Sequence, residues 1–161
     1  MDLRYEFYIG GTPEQVWKVL ISPEETKKIY AGCVIRSTFK HGDPLQYVGP
    51  GLEGNETVHV YGTILEFERN KVFSYTQNTG KAYISNDKNY ESRISFRLEP
   101  AGACTKLTLI HDQWSEKDPS YENSKKAWWL ILCNSKSLVE TGKTLDLGVD
   151  NWHDELVVQP E

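Results

Sequence analysis

The chain has 161 residues, 39% hydrophobic and 25% charged, with a formal net charge of −5; this is enough for one domain with a real core, and the acidic balance argues against nucleic acid or an anionic membrane as partner. Its 3 cysteines, Cys33, Cys104 and Cys133, are odd in number and far apart, which excludes a disulfide framework or zinc spacing and reads as reduced, mostly buried thiols. No apolar run approaches a membrane span and the first ten residues lack a signal-peptide layout, so the expected compartment is the cytoplasm.

Residues 2–9 alternate with Leu3, Tyr5, Phe7 and Ile9 on one face, a strand ended by Gly10 and Gly11. Thr12-Pro13-Glu14-Gln15 is a helix start, with Thr12 as cap, Pro13 in the first helical position and Gln15 placed for a capping box. Ser22-Pro23-Glu24-Glu25 repeats the signal for a second short helix through Tyr30. Strands then dominate: 34–40, a short one at 45–48, a long one at 57–68 with Gly62 marking a bulge or bend, and its hairpin partner at 71–76. The polar stretch 77–89 reads as a loop, and Tyr83 with Lys81 there suits either a lid or plain solvated chain. Segments 90–98 and 105–111 alternate cleanly around a turn at Glu99-Pro100-Ala101-Gly102.

The last element is a long helix over 121–142. Ser120 is placed to cap it and Gly142 to stop it in a left-handed conformation. Residues 127–133 carry no charge, which predicts burial nearly all round. Strand, two short helices, antiparallel strands and a long helix make an α+β order. The expected architecture is a helix-grip: a curved antiparallel sheet of six or seven strands wrapped around the C-terminal helix. Residues 1–142 form the domain and 143–161 a tail that either packs or frays.

Five stretches, in order, resemble one family. They are 12–20 (Thr12-Pro13-Glu14-Gln15-Val16-Trp17 and onward), the Ser22-Pro23-Glu24 turn, the hairpin 62–76, the strand 105–111, and Trp129 followed by Leu138-Val139-Glu140-Thr141-Gly142. Together they resemble the START-like (SRPBCC) superfamily, in the branch named after the activator of a heat-shock-chaperone ATPase. The chain departs from that pattern at Tyr30, where the family often has Trp, and at Trp128, where it has Gly; the second change would shrink or reshape a cavity. The resemblance implies the fold and an internal cavity, without fixing one activity.

For ligand binding the candidates are Trp17, Tyr30, His59, Tyr75, His111, Trp114 and Trp129. His111 ends an apolar strand face, so it is either a polar handle in a pocket or a core-edge histidine with local partners. His59 lies on the long strand, facing the pocket or solvent. Trp17, Trp128 and Trp129 offer rigid bulk for a cavity wall or for core packing, and Trp114 suits a cavity mouth or an anchored loop. No nucleophile elbow, phosphate loop or metal-ligand spacing is present, and the four histidines are scattered. No catalytic residue, metal or cofactor is expected, although His111 or Glu66 could act as acid or base in a dry pocket.

The leading expectation is therefore a domain binding an apolar or aromatic small molecule between sheet and last helix, as a monomer or homodimer. Beside it stand a module stimulating a chaperone ATPase, a cavity-based enzyme, and a filled core with no ligand.

Overall fold

The computed structural model describes residues 1–51, 53–83 and 90–147. In chain order the described elements are β1 (Leu3–Ile9), α1 (Pro13–Ile21), α2 (Pro23–Ile29), β2 (Val34–Ser37), β3 (Pro44–Pro50), β4 (Glu56–Glu68), β5 (Val72–Thr79), β6 (Ser92–Ala101), β7 (Cys104–Asp112) and α3 (Tyr121–Thr141). The strands form one antiparallel sheet in the order β1-β7-β6-β5-β4-β3-β2. The first strand joins the far edge, pairing Leu3 with His111 and Ile9 with Thr105. This is the α+β helix-grip expected from the order of elements, with seven strands.

Register explains the core. Period-two alternation puts Leu3, Tyr5 and Ile9 on the same face as Leu107, Leu109 and His111 of β7. Leu3 pairs with His111, His111 with Ile94, Ile94 with Tyr75, and Tyr75 with Ile64, so one row of buried side chains crosses five strands. A slip of one residue in any pair would turn that row outward, which is why so apolar a face specifies its register. Side chains buried as completely as Phe73, Phe96 and Leu132 contribute about 2 kcal/mol each from removal of apolar surface from water.

The helix starts are local chemistry. Thr12 N donates to Gln15 Oε1 (2.9 Å) and Gln15 N to Thr12 Oγ1 (3.2 Å), a complete capping box ahead of Pro13. The α3 start differs from expectation. Ser120 has helical backbone angles and caps nothing with its side chain; its hydroxyl donates instead to Asp118 Oδ1 at 2.7 Å. Asp118 competes successfully because its carboxylate also accepts the Ser120 N–H at 2.9 Å. The stop is as expected: Gly142 is left-handed (φ 80°) and its N–H reaches Leu138 O.

Three sheet expectations need correction. The 34–40 strand ends at Ser37, while β3 runs through Pro44 and Gly49 to Pro50; a proline at the end of a strand removes one donor only, and the pairing survives. The register shift in the β4–β5 hairpin falls between Ile64 and Glu66 rather than at Gly62. Gly62 answers to a different demand, since a Cβ there would lie 1.7 Å from Thr76 O. Finally, β5 continues to Thr79, pairing Asn78 with Tyr61 and Thr79 with Val60. Polar composition at 77–79 reads as loop, but backbone pairing to β4 overrides it. The rest of that expected loop, 84–89, lies outside the described residues, as does 148–161 of the tail.

α3 packs across β1, α1 and α2. Its C-terminal end is tied to β1: Glu140 Oε2 accepts Gly10 N (2.7 Å), and Lys136 Nζ donates to Tyr8 O (2.9 Å) and Glu140. The buried stripe is Ser124, Trp128, Ile131, Leu132, Ser135 and Leu138. The uncharged run 127–133 is therefore not buried all round, because Trp129 stands outside it, 52% exposed. Just past the cap, Asn134 Oδ1 accepts Leu145 N (2.9 Å), which holds the first residues after Gly142 against the helix.

Candidate functional site

Between the sheet and the N-terminal half of α3 lies a pocket of about 210 Å³. Its floor is Tyr75 and Gln77 on β5 with Tyr47 on β3; one wall is His59 and Val60 on β4 with Tyr83; Tyr30 and Cys33 close the end behind α2. Asn123, Ser124, Ala127, Trp128 and Ile131 of α3 form the roof. No Asp, Glu, Lys or Arg stands among the described lining residues.

Three tyrosines dominate one end. The rings of Tyr30 and Tyr47 meet edge to face at 5.1 Å, and Tyr47 lies 5.7 Å from Tyr75. Burial is the main reason all three phenols are held above their ordinary pKa; the neighbouring tyrosines add to the rise at Tyr47, while the interaction with Tyr47 opposes it at Tyr30 and Tyr75. They are neutral at any physiological pH. The hydroxyls feel one another electrostatically, yet no bond of acceptable geometry closes for the Tyr30 and Tyr47 oxygens. Both are fully buried without a partner among the described residues. Beside them the Cys33 thiol is pushed up to about 12 by burial, which makes it an inert small apolar group rather than a nucleophile.

His59 is fastened in place. Its Nε2 lies 2.9 Å from Pro50 O, and a carbonyl only accepts, so Nε2 carries the proton. Nδ1 is then the acceptor, and Tyr83 Oη donates to it at 2.7 Å. The imidazole thereby joins the β3 end, β4 and the chain after β5.

His111 is not on the pocket wall. It is 0% exposed beneath the roof. Trp128 Nε1 donates to its Nδ1 at 3.0 Å. An indole N–H only donates, so the proton sits on Nε2 and is donated to Ser92 Oγ at 2.7 Å. Trp114 stacks on the ring at 3.8 Å and donates from Nε1 to His111 O at 3.1 Å. Desolvation lowers the imidazole pKa to about 3, outweighing the opposing pull of Asp112. Asp112 is itself engaged by a bidentate pair with Arg93, at 2.9 and 2.8 Å. His111 is thus a neutral core residue whose service to the pocket is indirect: it fixes the plane of Trp128, which forms part of the roof.

The remaining sequence candidates divide as follows. Tyr30, His59 and Tyr75 stand on the pocket wall. Trp17 packs at a distance from it against Phe67 (5.2 Å) and Phe73 (6.4 Å), because α1 sits over the opposite end of the sheet face. Trp114 is a brace behind His111. Trp129 is a correction: consecutive helical residues point about 100° apart, and with Trp128 turned inward Trp129 is directed out, its ring 4.9 Å from Tyr5 at 90°. Glu66 is exposed and pairs at 3.7 Å with Arg97, well away from the pocket. We expect Trp129→Ala to cost about 1 kcal/mol, the value of an exposed aromatic contact, and to leave ligand affinity unchanged. A tenfold loss of affinity in that variant would contradict this placement.

Sequence reading missed several lining residues, Cys33, Gln77, Asn123 and Ile131 among them, and the largest of these is Tyr47. It lies in the same alternation as Leu45, and that face could have been read as core-directed, but its opposition to Tyr30 depends on how α2 folds back over β3.

The family model described as "Activator of Hsp90 ATPase homolog 1-like protein" matches residues 11–140. No functionally curated protein matches the chain. Among solved structures, the Aha1 dimer from Colwellia psychrerythraea aligns at 19% identity and TM-score 0.65, covering 89% of this chain and 98% of its own. A Mesorhizobium loti protein aligns at 19% identity and TM-score 0.68, covering 90% and 100%. One from Cytophaga hutchinsonii aligns at 21% identity and TM-score 0.67, covering 88% and 95%. These likenesses establish a shared fold. With the family match spanning most of its length, the chain belongs to the activator of Hsp90 ATPase homolog 1-like family.

Proposed function

We propose that this domain is a receptor for a small apolar or aromatic molecule, held between the sheet and the first half of α3. One observation carries the reading: a pocket of about 210 Å³ lies between the sheet and α3, and its described lining holds no Asp, Glu, Lys or Arg. A concave, mostly apolar site with a few polar groups is the usual form of a small-molecule site. The size is adequate. An apolar cavity of about 150 Å³ takes up benzene, and this pocket of about 210 Å³ is lined largely by aromatic and aliphatic groups. The three unpaired thiols suit a reducing compartment, and we place the protein in the cytoplasm.

A thermal-shift screen over neutral aromatic compounds is the direct test. A ligand present at a hundred times its Kd should stabilise the domain by about 2.7 kcal/mol, a rise of several degrees in Tm. A flat response across such compounds at millimolar concentration would remove the receptor reading.

Chaperone stimulation is the second reading. It rests on the family description and on the aromatic surface that Trp129 leaves on the outer side of α3. Unchanged chaperone ATPase turnover at saturating protein would dispose of it. Acid–base catalysis in the pocket has less support: His111 uses both nitrogens in the core, and Glu66 faces solvent.

A further inference from the structure

Independently of the pocket, we propose that the outer flank of α3 is the interface of a homodimer, in which two copies of the helix lie antiparallel about a two-fold axis at Trp129. It rests on a stripe of side chains along that flank. Glu122 and Lys136 each stand seven residues from Trp129, one on either side, so the three fall within about 20° of one line down the helix. Trp129 is 52% exposed, and Cys133 continues its face half-buried. The Glu122 carboxylate stands out in solvent, and its ion pair to Lys125 is a long one, at 3.9 Å. A half-exposed tryptophan flanked by charges has the make-up of an interface anchor with its polar rim.

Charge chooses the partner. A two-fold axis that brings one Trp129 over the other sets each residue against the one equally far on the opposite side. Glu122 of one protomer then faces Lys136 of the partner subunit, about 10 Å along the helix from the axis, and the pair recurs at the other end. A parallel pairing would instead set Glu122 against its own copy and Lys136 against its own, which like charges oppose. Lys136 is prepared for the antiparallel role. Its ammonium has three protons, and two of them go to Tyr8 O and Glu140 Oε2, at 2.9 and 2.6 Å. Those bonds hold the charge at a fixed point, so little side-chain freedom remains to be lost on association. They also work against edge-to-edge pairing of strands, since Lys136 and Glu140 occupy Tyr8 O and Gly10 N at the end of β1, an edge strand. One helix face with two ion pairs belongs at the small end of specific interfaces, so the dimer is a weak, reversible one.

Sedimentation velocity from micromolar to millimolar concentration reads the association. The wild-type chain should dimerise reversibly across that range, and Trp129→Ala should raise the dissociation constant about tenfold. Glu122→Lys alone and Lys136→Glu alone each bring like charges together at both ends and should weaken it by about as much. An equimolar mixture of those two variants should recover the wild-type association, because the mixed dimer restores both opposite-charge pairs. Since Lys136 also clasps β1, a second readout spares it. In Lys125→Cys the new thiol faces Cys133 of the partner subunit, the two positions lying four residues to either side of Trp129. Mild oxidation should then give a covalent dimer whose bridge joins positions 125 and 133. Within one chain those positions are about 12 Å apart along the helix, too far for a disulfide. A wild-type chain that stays monomeric at millimolar concentration would overturn the proposal and leave the indole to another occupant, a chaperone among them. Dimers indifferent to Trp129→Ala would place the interface elsewhere and overturn it as well. So would a mixture that fails to recover together with the absence of the 125–133 bridge.

Discussion

Replacing Trp128 by alanine is expected to lower the stability of the domain by about 3–5 kcal/mol, the range for emptying a buried aromatic site. At this chain length that corresponds to a fall in Tm of roughly 10 °C. The side chain is 4% exposed and does three things at once. It stands edge-on to Phe96 at 5.8 Å, joining α3 to the middle of the sheet. Its N–H satisfies His111 Nδ1. Its outer surface is part of the pocket roof. Truncation leaves a cavity continuous with the pocket and a buried imidazole nitrogen without its donor. Trp128→Phe separates these terms: it keeps most of the packing, loses the hydrogen bond, and should cost about 1–2 kcal/mol. Urea unfolding of both variants measures the split, and equal losses would mean that packing contributes little. In the alanine variant the pocket should also accept larger guests than the wild-type chain does.

Acid should destabilise the domain through His111, and the direction follows from its lowered pKa. The folded imidazole stays neutral down to about 3, whereas the unfolded one takes a proton near its ordinary value of about 6.5. Between those values the unfolded state binds one more proton, so stability is retained above about pH 6.5 and lost as the pH falls below it, at about 1.4 kcal/mol per unit. From pH 7.5 to 5.0 this one group removes about 2 kcal/mol. His111→Gln cannot titrate, yet retains an acceptor for Trp128 and a donor for Ser92. Comparing urea midpoints at the two pH values, the wild-type chain should lose about 2 kcal/mol more than the variant. Parallel losses would show that His111 is protonated in the folded state. The other titrating groups are common to both chains and cancel in the difference.

The path from residues to fold is short where interactions are local. Thr12 and Gln15 close their capping box within one turn, Gly142 takes the one conformation that suits it best, and the alternation of Ile94, Phe96 and Leu98 needs only a buried face. Ser120 shows the limit of such reasoning even at short range, because a carboxylate two residues away outcompeted the helix for its hydroxyl. The pocket is harder to read because its chemistry is assembled from distant segments. Tyr30 and Tyr47 meet only after α2 turns back over the sheet. His111 draws its two partners from Ser92 and Trp128, 19 residues before it and 17 after. Either reading of that histidine was compatible with its strand position; supply of both partners decides for the core. Trp128 and Trp129 differ by one step around a helix, and only the angle at which α3 lies on β1 settles which indole turns inward. The polar residues 77–79 look like loop until β4 supplies the ladder that pairs them.

The most direct test of the account is a crystal structure of the protein soaked with the neutral aromatic compound that gives the largest thermal shift. The expected result is density for the compound beneath Trp128, between α3 and the sheet. A pocket occupied by the protein's own side chains would contradict it.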